Sequence, residues 1–359
     1  MAEQFKDIFF TPSTVAKFAE AVKKAFPGFE KTKFINMVFD EEFATKELLA
    51  KMHHTTFCLF ETLPKSYPKA LEVLKKAAPY VKGFEALTLP DYVAIYGMKD
   101  WKLSLSALFH FTQYSTSELA IRPFLDKDPE TVMEYMKTWA EHENPMVRRL
   151  ASEGCRPRLP WAMALPKFKK DPSPILPILE KLKDDPSEDV RRSVANNLND
   201  ISKDHPDTAL DICERWHGKS DKTDKIVKHA CRTLLKAGNR RALSIFGYSD
   251  PAKIDVKNLR LEKNELKIGD VQSFSFSFHI KEKSKVRLEY AAYYVKSKGQ
   301  LSKKVFKITE RDYKPGTHTI KRKHSFENMS TRKHFPGVHY ISLIMNGEEK
   351  GKMSFELID

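Results

Sequence analysis

Two periodicities divide the chain near residue 250. Upstream, apolar positions recur at intervals of three and four. Thr11 and Pro12, a capping residue and a proline suited to the first helical turn, precede Val15, Phe18, Ala19, Val22 and Phe26. That spacing gives a helix one apolar face. Short segments of this kind, each ended by Pro or Gly, follow one another to Gly238. The rhythm predicts stacked helical hairpins rather than the alternating strands and helices of a parallel sheet. Downstream, Phe274, Phe276 and Phe278 alternate with Ser273, Ser275 and Ser277, the period of a strand with one buried face. Seven strands are predicted, near 256–262, 272–280, 285–295, 303–310, 317–325, 337–345 and 350–357. Short, evenly spaced strands over about 110 residues predict an immunoglobulin-like sandwich.

The helical half carries a repeat. NPMVRRLASEG begins at Asn144, DPSEDVRRSVANN at Asp185, and a divergent copy, DKIVKHACRTLLKAG, at Asp224. Aligning Val147, Val190 and Val227 gives spacings of 43 and 37 residues, near the period of about 40–47 found in HEAT and armadillo units. The apolar stripes are Val147, Leu150, Ala151, Gly154; Val190, Val194, Leu198, Ile201; and Val227, Cys231, Leu234. The expected fold class is multidomain α plus β: an N-terminal all-α HEAT-like repeat solenoid at 1–248, followed by a C-terminal all-β immunoglobulin-like sandwich at 249–359.

Charge adds a class of partner. The net charge is +14, and residues 251–359 hold 23 Lys and Arg against 13 Asp and Glu. A basic excess of this size favours polyanions such as nucleic acid or anionic lipid. No apolar run approaches the roughly 18 residues of a membrane span, and the opening MAEQFKDIFF does not read as a secretion signal. A monomer in the cytoplasm, without a membrane partner, is the expectation. Cys58, Cys155, Cys213 and Cys231 are scattered without a CxxC pair, so neither a zinc site nor a disulfide framework is expected. The histidines, including adjacent His53 and His54, show no metal-ligand spacing.

Stacked repeats set equivalent positions side by side. Arg149, Arg192 and His229 share the position two residues after the aligned valine, off the apolar stripe, as a row of cations that a phosphate backbone would meet. Solvated helix faces also carry arginine for solubility. Glu153 follows Arg149 by four residues and Asp200 follows Arg192 by eight through Asn196, which directs both carboxylates to the basic side. Acids aimed at a polyanion weaken binding, unless they stabilise a cationic transition state such as that of N-glycosidic cleavage. Arg149 and Glu153 also fit an ordinary i,i+4 surface pair. In CRPRLPWA, Pro157 and Pro160 end the helix and hold Trp161 beside Glu153, where an aromatic face suits a cationic ligand and equally suits a plug between repeats.

VRRLASEGCRPRLPWA (Val147 to Ala162) and KDDPSEDVRRSVANNLNDISKDHPD (Lys183 to Asp207) resemble the AlkC family of bacterial DNA alkylation repair glycosylases, as do STSELAIRPFL (Ser115 to Leu125) and LTLPDYVAIYG (Leu87 to Gly97). The likeness spans nearly the whole helical half, and a following β-domain marks one branch of the family. It implies a monofunctional DNA glycosylase with no cofactor and no metal, acting on double-stranded DNA that contains alkylated bases. The substrates implied are cationic methylated bases, chiefly N3-methyladenine and in some members N3-methylcytosine, removed without the usual base flipping. The resemblance implies catalytic roles for Glu118, Glu153 and Asp200, with Glu118 placed in a helix, and sets Trp161 against the deoxyribose. It implies phosphate contacts for Arg148, Arg149, Arg156, Arg158 and Arg192, continued in the third repeat by Lys228, His229, Arg232 and Lys236. It also implies a β-domain that folds over the DNA face opposite the solenoid, through basic clusters at Lys296, Lys298, Lys303, Lys304; Lys321, Arg322, Lys323, His324; and Arg332, Lys333, His334.

Two rivals are kept. A non-catalytic HEAT-repeat scaffold recognising damaged DNA would need no carboxylates beside Trp161. A metal-dependent nuclease would lose its activity to EDTA.

Overall fold

The computed structural model describes residues 8–329 and 332–359; residues 1–7, part of the opening segment read above for a leader, lie outside them. Two compact units result. One holds the chain through His205 together with Gly218–Ala230; the other holds Pro206–His217 together with Cys231–Asp359.

The first unit is helical, and its helices begin where local chemistry satisfies their free N–H groups. Pro12, Pro129 and Pro145 each open a helix behind a side-chain cap, from Thr11, Asp128 and Asn144. Such caps contribute about 1 kcal/mol each. The three repeat copies become the helices Pro145–Glu153, Glu188–Ile201 and Asp221–Ala230, the middle one packed against both others. Val147, Val190 and Val227 are all fully buried, so the aligned valines form one core line. Polar pins cross it: Ser193 donates to Ser152 Oγ at 2.9 Å, Asn197 to the Ser152 carbonyl at 2.8 Å, and Asn199 to the Ala230 carbonyl at 2.6 Å. Among the described residues, no helix is long and apolar enough to cross a membrane.

In the second unit, the alternation expected after residue 250 becomes two sheets. The first has order β1 (Ile254–Leu261), β3 (Val271–Ile280), β6 (Gly316–Ser325). The second has order β2 (Glu265–Lys267), β8 (Glu348–Ile358), β7 (Gly337–Met345), β4 (Ser284–Val295), β5 (Leu301–Tyr313). Seven strands lie at the predicted places. The eighth, β2, is three residues long and pairs in parallel with β8, too short to carry an alternation. Phe274, Phe276 and Phe278 pack with Val286, Leu288, Ile341 and Phe355 between the sheets, as a sandwich requires.

The change from helix to strand falls after residue 250, but packing does not divide the chain there. The helices Pro206–Trp216 and Arg240–Ile245 group with the strands. Within this unit the backbones of Gly238 (φ 73°) and Gly347 (φ 79°) meet so closely that a Cβ on Gly238 would lie 2.4 Å from the Gly347 carbonyl oxygen. Only glycine fits that approach at a positive φ.

Candidate active site

A ladder of alternating charge runs along the repeat helices of the first unit. Arg149 Nη1 lies 2.6 Å from Glu118 Oε2, and its Nη2 lies 4.0 Å from Glu153 Oε1. Arg156 then joins two carboxylates. It donates through Nη1 to Glu153 Oε1 at 2.6 Å and through Nε to Asp200 Oδ2 at 2.8 Å. Lys203 ends the ladder on Asp200 Oδ1 at 2.9 Å. Glu118, Glu153 and Asp200, spread over 82 positions of sequence, are thus brought into one network. Burial works against the charge on Arg156, yet Glu153 and Asp200 outweigh it and hold the guanidinium above its ordinary value.

The three carboxylates differ in what they leave free. Asp200 is buried with both oxygens paired. Among the described residues, Glu118 Oε1 and Glu153 Oε2 have no hydrogen-bond partner. Glu118 stands in a turn before the helix Arg122–Lys127, not in a helix as expected, and Thr116 Oγ1 donates to it at 2.8 Å. The i,i+4 contact between Arg149 and Glu153 is the longest step of the ladder, so the helical spacing noted in the sequence is not what holds Glu153.

Trp161 is 61 % exposed, with its ring edge-on to Phe84 at 6.1 Å between centroids. It is not a plug between repeats. Its φ is 63°, a left-handed conformation that costs a bulky residue about 1–3 kcal/mol and collects at functional sites.

The arginines separate into two groups. Arg148 is a structural clamp: it grips Asp185 with Nε at 2.6 Å and Nη2 at 2.9 Å, and donates through Nη1 to the His142 and Glu143 carbonyls. With its donors engaged internally, it does not fit the phosphate role implied for it, and neither does Arg156, buried between carboxylates. Arg158 pairs bidentately with Asp204 but is 36 % exposed. Arg192 is exposed beside Asp189. It shares with Arg191, Lys222, Lys225 and His229 a cleft of about 190 Å³ in which Glu188 is the one lining carboxylate. His229 is exposed there, its Nε2 2.8 Å from Asn196 Oδ1. In the second unit, Lys236 is exposed and Arg232 half-buried.

Residues 100–234 match the family model described as DNA alkylation repair enzyme, and residues 255–359 match that described as Uncharacterised protein YhaZ, C-terminal Ig-like domain. The chain is 45% identical over 349 residues to Uncharacterized protein YhaZ of Bacillus subtilis (strain 168), covering 97% of this chain and 98% of the relative. It also matches the structure of Pseudomonas fluorescens alkylpurine DNA glycosylase AlkC bound to DNA containing an abasic site analog, with 36% identity, a TM-score of 0.94, and 99% and 100% of the two chains covered. The chain belongs to the AlkC family of DNA alkylation repair glycosylases. It is of the branch with a C-terminal immunoglobulin-like domain.

One feature of this AlkC-family chain is not legible in the sequence. Arg122, wholly buried, donates to the carbonyls of Gly154, Arg156 and Met163. It lies inside the STSELAIRPFL block, but nothing in the spacing separates a buried arginine from a surface one. The β-domain clusters also need correcting. His324 is buried, with Nδ1 2.9 Å from Tyr290 Oη and Nε2 2.8 Å from Tyr294 Oη. Burial, aided by nearby Arg332, pushes it down to about 4. His334 is buried and shifted downward for the same leading reason. Both are neutral at pH 7 and belong to the core, not to a basic surface. Lys296, Lys304, Arg332 and Lys333 do line a pocket of about 480 Å³ with no carboxylate in its wall. Among the described residues, no cluster of three or more His, Cys, Asp or Glu is arranged to hold a metal ion.

Proposed function

We propose that this chain hydrolyses the N-glycosidic bond of cationic methylated bases, N3-methyladenine first and N3-methylcytosine also, in double-stranded DNA. The observation that carries the reading is the pair of partner-free carboxylate oxygens, Glu118 Oε1 and Glu153 Oε2, on a ladder shared with Asp200.

The chemistry asks little of the leaving group. An N3-methylated base is already positively charged, so the electrons of the breaking C1′–N bond neutralise it and no general acid is required. What remains is an oxocarbenium-like deoxyribose. Fixed carboxylates stabilise that cation, and water adds to C1′ and gives up a proton to a carboxylate or to solvent. Glu118 and Glu153 are suited to act directly. Asp200, with both oxygens occupied, acts through Arg156 by holding it against Glu153. Trp161 offers a face to the sugar, where ring quadrupole and cation attract.

Excision without base flipping fits the same features. Cavities of about 660 Å³ beside Met133 and Phe168 and about 300 Å³ beside Phe60 and Tyr92 are lined by none of Glu118, Glu153, Asp200 or Trp161. Exposed Trp161 and the partly exposed Glu118 at the end of the ladder would then meet a base still in the duplex. Arg192 and His229 in the basic cleft, with Arg149 and Arg158, would hold phosphates. Lys296, Lys304, Arg332 and Lys333 would give the β-domain its own phosphate contacts. The enzyme is proposed to work as a monomer, leaving an abasic site and no strand break.

Incubation of the full chain with N3-methyladenine duplex in EDTA, with chromatographic detection of free base, tests the reading. Release of N3-methyladenine with an uncut, alkali-sensitive strand supports it. Binding without release at any enzyme concentration would favour the non-catalytic scaffold.

A further inference from the structure

Arg122 is the largest fully buried side chain described. Its guanidinium is spent on main-chain oxygens: Nε donates to the Met163 carbonyl at 2.6 Å, and Nη1 to the carbonyls of Gly154 at 3.0 Å and Arg156 at 2.8 Å. Nη2 has no partner among the described residues. Nor does any described carboxylate lie within ion-pair distance of Arg122. An arginine buried without a counter-ion carries a desolvation cost, which its hydrogen bonds to the three carbonyls offset. Burial pushes this guanidinium down to about 10. What it gives in return is a set of donors for three loop carbonyls.

What the three carbonyls have in common is the segment they enclose. Gly154 caps the helix that ends at Glu153, and Arg156 carries the side chain that joins Glu153 to Asp200. The last carbonyls of that helix are taken up by the Gly154 and Arg156 N–H groups, Cys155 Sγ and Asn197, and Arg122 supplies donors to the carbonyls of the loop that follows. Met163 lies at the far side of the same loop, beyond Trp161. A second closure joins the Leu165 N–H to the Pro157 carbonyl at 3.1 Å. Between these ties, Trp161 is held at a positive φ that its side chain disfavours. The attachment is close at the other end too. A Cβ on Gly154 would meet Ile121 Cγ2 at 2.8 Å, and Ile121 follows the turn that bears Glu118. One short stretch of chain thus carries Glu118 into the ladder and Arg122 under the Trp161 loop.

We propose that Arg122 is a positioning residue of the excision site: it touches no DNA and acts through the 154–163 loop to fix Trp161 on the same segment that carries Arg156 into the carboxylate ladder. The catalytic part rests on the glycosylase reading above; the part concerning the loop does not. Arg122→Lys keeps the charge but cannot span carbonyls on both sides of the loop.

Two measurements on the full-length chain separate the claims. In hydrogen exchange, Arg122→Lys is expected to speed exchange of residues 158–165 by about tenfold or more, while residues 188–201 stay within about twofold. Unchanged exchange in the loop would overturn the clamp. In single-turnover release of N3-methyladenine, below the melting points of all variants, Arg122→Lys is expected to slow excision about tenfold with affinity for abasic-site DNA within about threefold. In a Trp161→Ala background the same substitution should cost less than about twofold, because its effect passes through the missing ring. An undiminished tenfold loss there, or a wild-type rate for Arg122→Lys alone, would overturn the positioning role. No release by the wild type would remove the glycosylase reading and leave the exchange result standing.

Discussion

Arg156 and Asp200 are 44 positions apart and meet at 2.8 Å across two adjacent repeats, their side chains 7 % and 1 % exposed. Removing one member of a buried pair strands the other charge, typically at a cost of about 3–5 kcal/mol. Arg158 and Asp204 form a pair of similar geometry, with side chains 36 % and 25 % exposed, and pairs in contact with water contribute about 0–1 kcal/mol. Asp200→Ala is expected to lower the unfolding free energy in urea by about 3–5 kcal/mol, and Asp204→Ala by about 1 kcal/mol or less. Equal losses would mean that burial does not distinguish the two pairs.

The same contrast governs DNA affinity. Each phosphate contact releases counter-ions and contributes about 0.9 to the slope of log K against log salt. Arg192, exposed in the basic cleft, is expected to lower that slope by roughly one unit when changed to Ala. Arg148, engaged by Asp185 and two carbonyls, should leave the slope unchanged when changed to Ala while destabilising the fold. A reduced slope for Arg148→Ala would return it to the DNA surface.

Much of this architecture is legible in the sequence, because periodicity is a local property. Three copies of an i, i+3, i+4 stripe at repeat spacing specify stacked helices, and Phe274, Phe276 and Phe278 specify a strand's buried face. What depends on distant partners is not. Arg148 and Arg149 are adjacent and both polar, yet one turns to Asp185 and the other to Glu118. His324 follows three exposed basic residues on β6 but is itself buried against two tyrosines of β4. Buried Asn197 and Asn199 sit on a helix whose polar residues read as solvated. The ladder was half visible: the resemblance named its carboxylates, but only the fold shows Arg156 between Glu153 and Asp200, or Arg122 beneath the loop.

His324 gives the second unit a pH dependence. Its folded value is depressed to about 4 from an ordinary 6.5, so between those values the unfolded chain binds the extra proton. Stability is fully present above pH 6.5 and falls as pH drops toward 4, by up to on the order of 3 kcal/mol. Hydrogen exchange of β3 and β4 between pH 7 and 4.5, corrected for intrinsic rates, checks this. The wild type should lose protection on acidification, and His324→Gln, which keeps a hydrogen-bonding group but does not titrate, should lose markedly less. Identical profiles would assign the acid sensitivity to other groups.

The central claim is that carboxylates stabilise a sugar turning cationic. Its most direct test is the single-turnover rate of N3-methyladenine release by Glu118→Gln and Glu153→Gln at saturating enzyme. Amides keep the shape and remove the charge. The account predicts a fall of about 10²–10³-fold for at least one variant, with DNA affinity equal to or tighter than wild type because a negative charge facing phosphates has gone. Rates within about twofold of wild type for both would contradict it.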